Sequence, residues 1–365
     1  RPRSAVGELP KLVVSGYEHV AKLHRTPNGY NNLQESTLGQ FAFCSRAHAR
    51  TYDSTRDRAS TLRTLIIHNT ASGPRSDDIF AFQRALIHPG DEVVMRALQP
   101  GSSVSELVRD AERFDAVVAS GGDGTVGAAA YAVRGTDIPV LAFPSGTANL
   151  FANNLGSAGD PPALAQTLRN GIHVHLDICE FEYVDDTGTV QRHGFLNMAG
   201  AGYDASIMQG STPLKSLFGQ FSYYLAALGN LDPGTARMTM SIDGEEYEAE
   251  GICVLVANWA AVNQNLTFIP GSSPDDGLLD IAVVTARNSV QLIPAVFGSV
   301  FSPGNEQGYP KVAFHHAHEI TVECDPPFPM QYDGEVVENA TTPFRARVLP
   351  GALHTVVDSL SPFAR

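Results

Sequence analysis

Residues 116–131, Ala-Val-Val-Ala-Ser-Gly-Gly-Asp-Gly-Thr-Val-Gly-Ala-Ala-Ala-Tyr, limit the possible folds more than any other stretch. Ala116–Ser120 is a short apolar run that reads as a buried strand, and the Ala-rich segment after Thr125 consists of strong helix formers. Between them stand Gly121, Gly122, Asp123, Gly124 and Thr125. A glycine-packed turn from strand end to helix start gathers unshielded backbone N–H groups at the positive end of a helix, which is a site for phosphate. An anion-binding loop has no electrostatic reason to carry Asp123. The acid therefore points to a metal ion or a proton transfer beside the phosphates.

The surrounding pattern repeats this unit. Thr64–His68 is a buried-strand run ending in Asn69, and Asp77–Leu86 has helical spacing. Asp91–Ala97 reads as a strand, Ser103–Arg113 as a helix and Pro139–Phe143 as another strand. Strands alternating with helices at this spacing predict a parallel sheet with crossovers on its faces. Ligands of such sheets bind at the carboxyl ends of the strands. Asn69, the glycine turn and Pro144–Asn149 all lie at such ends, so three loops are expected to meet at one crevice.

After a helix near Pro162–Asn170 the character changes. His173–Tyr183, Thr189–Met198, Met238–Ile242, Tyr247–Val256, Leu279–Val284, Glu319–Cys324 and Phe344–Leu349 read as strands. One helical insertion at Leu214–Leu228 interrupts them. The expected architecture is an α/β nucleotide-binding domain over residues 61–160 and a β-sandwich domain over 161–365, with the ligand cleft between them. The last strands are expected to return toward the first domain. Residues 1–60 lack periodicity and read as a disordered or loosely docked leader.

The chain carries 39 acidic and 25 basic residues, a net charge of −14. That balance argues against nucleic acid and against a static polybasic grip on anionic lipid. No run approaches the ~18–20 apolar residues of a membrane span, and no signal-peptide layout begins the chain. Four widely spaced cysteines, Cys44, Cys179, Cys253 and Cys324, read as free thiols of a cytoplasmic protein.

Gly122-x-Gly124-x-x-Gly127 formally matches a dinucleotide fingerprint. It lies on the third strand, though, and no acid ends the next strand to hold a ribose. No Gly-x-x-x-x-Gly-Lys loop and no protein-kinase catalytic loop occur.

The set Asn69…Ser72-Gly73, Gly121-Gly122-Asp123-Gly124-Thr125 and Pro144-x-Gly146-Thr147-x-Asn149 resembles the catalytic domain of the diacylglycerol kinase family, which includes bacterial lipid kinases and sphingosine kinases. The resemblance covers roughly residues 62–354. Weaker marks are Phe195-Leu196-Asn197 with Gly202-Tyr203-Asp204-Ala205, Asp275–Asp280, and Asp333-Gly334-Glu335. The pentad alone is shared with NAD kinases, and the later marks favour a lipid acceptor. In this chain Gly127 and Ala128 stand where bacterial members carry an Asn-Glu pair. Thr70 replaces the usual Pro, and Leu150 an acid.

The resemblance implies an ATP-dependent lipid kinase that uses Mg²⁺ and meets its lipid at a membrane surface transiently and peripherally; a homodimer is left open. Backbone amides of Gly122–Thr125 would hold the phosphates. Asn69, Ser72, Gly73, Gly121, Gly146, Thr147 and Asn149 would complete the nucleotide site. Asp123 would bind Mg²⁺ or help activate the acceptor. An acid of Asp333-Gly334-Glu335 would be the general base, Glu335 before Asp333. An ordinary turn competes with that role, because Asp243-Gly244-Glu245 repeats the tripeptide and reads as a hairpin tip.

Asp275, Asp276 and Asp280 form a candidate site for Mg²⁺ or Ca²⁺, with an unoccupied surface loop as the alternative. His315, His316, His318 and Cys324 match no zinc spacing well. Lys215, Phe218, Phe221, Tyr223 and Tyr224 in the insertion read as core, or as the border of a lipid tail. Two other readings stay open: an NAD kinase, and a nucleotide- or lipid-binding protein that has lost turnover.

Overall fold

A computed structural model describes residues 61–73, 77–99, 101–157, 159–202, 234–263, 266–267, 269, 271–285 and 311–365. The leader and the aromatic insertion lie outside the described residues, as do Asp204 and Ala205.

Strands β1 (Arg63–Asn69), β2 (Glu92–Leu98), β3 (Ala116–Gly121) and β4 (Val140–Pro144) form a parallel sheet in the order β2-β1-β3-β4. Every residue of β3 and β4 is buried, as both faces are covered by helices. The helices are α1 (Asp78–Leu86), α2 (Val104–Leu107), α3 (Asp123–Ala132), α4 (Leu150–Asn154) and α5 (Pro161–Asn170). Helix α5 starts where the Asp160 side chain accepts from Ala163 N and prolines fill the first helical positions.

The helix expected over Ser103–Arg113 is broken. Only α2 and a 3₁₀ turn at Ala111–Arg113 form. The Arg96 guanidinium donates to Leu107 O (2.5 Å) and to the Asp110 carboxylate. It thereby takes the carbonyl that a continuing helix would give to Ala111 N, which bonds Val108 O instead.

Strands β5 (Ile172–Val184), β6 (Val190–Phe195), β7 (Met198–Gly202), β8 (Ala236–Ile242), β9 (Glu245–Gly251) and β10 (Cys253–Ala257) follow. After them come β11 (Ala261–Asn263), β12 (Leu266–Thr267), β13 (Leu279–Val284), β14 (Val312–Ala317), β15 (Glu319–Asp325), β16 (Pro329–Tyr332), β17 (Glu335–Thr341) and β18 (Phe344–Val357). The parallel strands continue through β18 into antiparallel β15, β8 and β9, with β5 and β6 alongside. A second sheet runs β14-β13-β10-β7-β16-β17. Phe181, Phe195, Met238, Val254, Ile281, Val322 and Phe344 meet between the sheets in one apolar core, the filling of a β-sandwich.

Two expected strands divide in the structure. Tyr247–Val256 splits because the chain leaves β9 in the first sheet for β10 in the second, with Ile252 N bonded to Val284 O at the crossing. Thr189–Met198 splits into β6 and β7 because the amides of Leu196, Asn197 and Met198 turn to the Asp333 carboxylate. Strand β18 outruns the expected Phe344–Leu349. Its later half pairs with the start of β5, and Thr355 reaches Val140 of β4. One strand therefore spans from the sandwich to the parallel sheet, which fixes the acid-bearing hairpin β16–β17 relative to the glycine turn.

Candidate active site

Gly122, in extended conformation, precedes α3, and no side chain caps that helix start. The first-turn amides of a helix have no intrahelical acceptor, so the turn presents donors and a positive dipole end. Neighbouring loops hold it in shape. Ser145 N and Gly146 N both donate to Gly121 O, at 3.3 and 3.2 Å. A Cβ on Gly146 would strike Gly122 Cα. Asn149, at φ 50°, closes its own loop by accepting from Gly146 N (2.8 Å) and donating to Gly146 O (2.9 Å).

The loop after β1 joins the same edge. Asn69 Nδ2 donates to Thr125 Oγ1 (3.2 Å), and its Oδ1 accepts from Ala71 N. Ser72 Oγ bonds Asn69 O and lies 2.9 Å from Ser145 Oγ. Gly73 packs on the Ser145 carbonyl. The three loops expected to converge do converge. Thr147 is exposed at this edge.

Asp123 turns its carboxylate onto the start of α4, accepting from Leu150 N (3.0 Å) and Phe151 N (2.9 Å). Burial pushes its pKa up, against those donors. The Asn197 amide lies against this carboxylate. Asn197 is 2 % exposed, and neither of its polar side-chain atoms completes a hydrogen bond of normal geometry. Sequence reasoning did not count Asn197 as a site residue; an Asn closing an apolar run at Phe195-Leu196 was the available signal.

Asp333 (φ 43°) and Gly334 (φ 85°) form a two-residue hairpin tip of the type Asp-Gly favours. The Asp333 carboxylate accepts from Leu196 N (2.8 Å), Asn197 N (2.8 Å) and Met198 N (3.2 Å). Burial pushes it up to about 7, and the charge of Asp123 adds to the rise. The repeat tripeptide makes the same turn, with Asp243 at φ 48° and Gly244 at φ 87°. Its acid, however, caps only the exposed strand start at His318 and Glu319. Identical local chemistry thus serves two places, and only one of them faces another carboxylate.

Glu335 is exposed, and its carboxylate occupies the space a Cβ on Gly124 would need. Gly127 is equally committed: a Cβ there would lie 3.2 Å from Asp333 Oδ2 and 3.4 Å from Gly194 O. The glycine standing in place of the family's Asn lets α3 pack directly on β6 and the acid hairpin.

Asp123, Asp333 and Asn197 offer oxygen ligands, with two mutually repelling, partly buried carboxylates and a buried amide lacking a proper partner. This set fits a hard divalent cation, most directly through Asp123 and Asn197. Asp275, Asp276 and Asp280 stay within electrostatic reach of one another: beyond the effect of burial, Asp275 pushes Asp276 up and Asp276 pushes Asp280 up, while each carboxylate has its own hydrogen-bond partner. Asp275 bonds Ser273 Oγ (2.5 Å), Asp276 accepts from Leu278 N, and Asp280 faces His316 Nδ1 (2.7 Å) from inside β13. Among the described residues no group of three or more His, Cys, Asp or Glu side chains is placed to hold a metal ion. The histidines likewise separate: His316 pairs with Asp280, His318 with Asp243, and His315 packs on Tyr247.

The position of Asp333 has a consequence for stability. Between pH 4.5 and 8 the unfolded chain releases this proton before the folded protein does, so Asp333 lowers stability as pH rises. Asp333→Asn is therefore expected to gain about 3 kcal/mol relative to wild type over that range. Urea unfolding of both proteins at pH 4.5 and 8 checks this; an unchanged gap between them contradicts it.

Comparison with known proteins agrees with this geometry. Residues 63–181 match the model of the diacylglycerol kinase catalytic domain, and residues 197–357 match that of the YegS C-terminal NAD kinase beta sandwich-like domain. A diacylglycerol kinase of Mycobacterium tuberculosis is 28% identical over 251 residues, 67% of this chain and 78% of that protein. An uncharacterized protein of Synechocystis sp. is 31% identical over 253 residues, and the match spans 67% of this chain but only 55% of the relative. A crystal structure of a diacylglycerol kinase from Bacillus anthracis has the same fold, with a TM-score of 0.64 at 22% identity, covering 81% of this chain and 97% of that one. With both lobes matched in order, the chain belongs to the diacylglycerol kinase-like lipid kinase family.

Proposed function

We propose that the protein is an ATP-dependent kinase that transfers the γ-phosphate to a hydroxyl of diacylglycerol or of a sphingoid- or ceramide-type lipid. Residues 61–160 serve as the nucleotide lobe, and the lobe over 161–365 supplies the acid. The observation that carries this reading is the seat of the Glu335 carboxylate over Gly124, within the turn that receives the phosphates. Phosphoryl transfer needs positioning and charge neutralisation more than covalent chemistry.

The uncapped start of α3 binds the terminal phosphates through its amides. Asn69 and Asn149 fix the flanking loops, and Thr147 offers a hydroxyl to the nucleotide. Glu335 takes the proton of the acceptor hydroxyl as its oxygen bonds the γ-phosphorus; the bond from that phosphorus to the β–γ bridging oxygen breaks, and ADP leaves. Asp333 anchors the hairpin that carries Glu335. Asp123 and Asn197 would hold a Mg²⁺ that neutralises charge on the phosphates. No helix among the described residues is long and apolar enough to cross a membrane, so peripheral contact fits the approach to a lipid.

The test is transfer of label from [γ-³²P]ATP with Mg²⁺ to mixed micelles of diacylglycerol, sphingosine, ceramide or monoacylglycerol, with NAD⁺ in parallel. Labelled lipid supports the proposal. Labelled NADP⁺, or ATP binding with no product, overturns it.

A further inference from the structure

Next to the glycine turn, a chain of polar side chains crosses an otherwise apolar sheet. His68 and Ser120 are partners in register near the carboxyl ends of β1 and β3, and Ser145 directly follows β4. His68 is 4 % exposed, and Ser120 and Ser145 are wholly buried. His68 Nδ1 lies 3.1 Å from Ser120 Oγ, Ser120 Oγ 3.4 Å from Ser145 Oγ, and Ser145 Oγ 2.9 Å from Ser72 Oγ. Ser72 Oγ donates to Asn69 O at 2.7 Å, so the chain ends on an acceptor that has no proton to give. Buried polar groups cost free energy unless each is paired, and a contact without a proton in it is no pairing.

The direction of the chain follows by counting. Its four contacts need four protons, and its three hydroxyls supply three. Ser72 gives its own to Asn69 O, so Ser145 donates to Ser72, and Ser120 donates to Ser145. The fourth proton, between His68 and Ser120, then comes from His68 Nδ1. Burial lowers the pKa of His68 against the opposing charge of Asp77, so near neutral pH the ring carries one proton. The chain joins all three loops. Ser72 lies in the loop after β1, where Asn69 holds Thr125; Ser120 leads into the glycine turn; Ser145 leads into the loop closed by Asn149. Backbone bonds from Ser145 N and Gly146 N to Gly121 O already tie the second and third loops. The Ser72–Ser145 link adds the first.

We propose that His68 is a positioning residue of the nucleotide site: as the Nδ1–H tautomer it starts a one-way chain of hydrogen bonds, through Ser120, Ser145 and Ser72 to the Asn69 carbonyl, that locks the three loops at the glycine turn together. The role rests on the nucleotide reading of that turn, whereas the tautomer does not. His68 touches no phosphate. It acts by holding the loop after β1 against the other two, so a side chain that cannot donate from the place of Nδ1 leaves Ser120 and Ser145 free to turn and the loop free to part from them.

The experiment has two arms, both on the full chain. Two-dimensional NMR of protein labelled with ¹⁵N-histidine, recorded at pH 8, reads the protonation of each ring nitrogen, and the His68 signals are those missing from His68→Asn. A protonated Nδ1 with a bare Nε2 is expected; a bare Nδ1 overturns the proposal, whatever the variants do. Calorimetric titration with ATP and Mg²⁺ then compares His68→Leu, Ser120→Ala and His68→Asn, each checked for folding by its melting temperature. The first two are expected to weaken ATP binding at least ~tenfold. His68→Asn, whose Nδ2 donates from the place of Nδ1, is expected to stay within about threefold of wild type. Wild-type affinity in folded His68→Leu overturns the role, as does a loss in His68→Asn equal to that in His68→Leu. A wild type that shows the Nδ1–H tautomer but binds no ATP overturns the nucleotide reading and the role with it, leaving the hydrogen-bonded chain itself in place.

Discussion

Asp123→Asn is expected to cut phosphate transfer at least ~10³-fold while lowering the melting temperature by only a few degrees. The structural work of Asp123 is the cap on α4, where its two oxygens take Leu150 N and Phe151 N. Asn keeps one of those acceptors, and the loss of the other is worth about 1 kcal/mol. A residue that served only as a cap would leave activity in proportion to the folded fraction. The larger loss follows from charge: the partly buried carboxylate beside Asn197 and Asp333 is the one acidic side chain that the proposed phosphate-binding turn itself contributes. Initial rates at saturating ATP and lipid, set beside melting curves of both proteins, separate the two contributions. Rates that track folding would reduce Asp123 to a capping residue.

Gly146→Ala is expected to weaken ATP binding at least ~100-fold, about 2.7 kcal/mol. Its Cβ would land on Gly122 Cα and within 2.9 Å of both Gly122 N and Asn149 Oδ1. Neither neighbour yields cheaply. Gly121 O holds Ser145 N and Gly146 N, and Asn149 is hydrogen-bonded at both ends of its amide. Relief must come from opening the very turn that presents its amides to phosphate. Gly124→Ala differs in kind, because there the new methyl meets only the mobile end of Glu335. Calorimetric titration with ATP and Mg²⁺ measures the effect; a Kd within threefold of wild type would mean that the contact of the two loops does not shape the phosphate site.

The parallel-sheet half was legible because its signals are local. Apolar runs of β-type length, each ending in Gly, Asn or Ser, mark β1, β3 and β4, and the three loops at their ends met as expected. The breaks were not legible, because each depends on a partner far along the chain. Arg96 stops the helix after Leu107 from another strand. Asp333 parts β6 from β7 from 136 positions beyond Asn197. The same distance in sequence hid the meaning of the acid hairpin: Asp333-Gly334-Glu335 and Asp243-Gly244-Glu245 are indistinguishable as tripeptides and as turns. The difference lies in what each faces, since Asp333 sits by Asp123 whereas Asp243 sits at an exposed strand start. Gly127 and Ala128 looked like a loss of family residues. In the structure Gly127 is where α3 meets the hairpin, and Ala128 packs partly buried against the core of this lobe. The Asp275–Asp280 acids also have partners that the sequence does not show, since Asp280 meets His316 of β14.

On the proposed mechanism, phosphates bound at the turn from Gly121 to Thr125 are attacked by a hydroxyl that Glu335 deprotonates. Single-turnover transfer from [γ-³²P]ATP with Mg²⁺ to dioleoylglycerol by Glu335→Gln, measured together with the Kd for ATP, tests it most directly. An ATP affinity within about threefold of wild type is expected, with transfer slowed at least ~10²-fold, the scale of a lost general base. Transfer at the wild-type rate, or a loss explained wholly by weaker ATP binding, would contradict it.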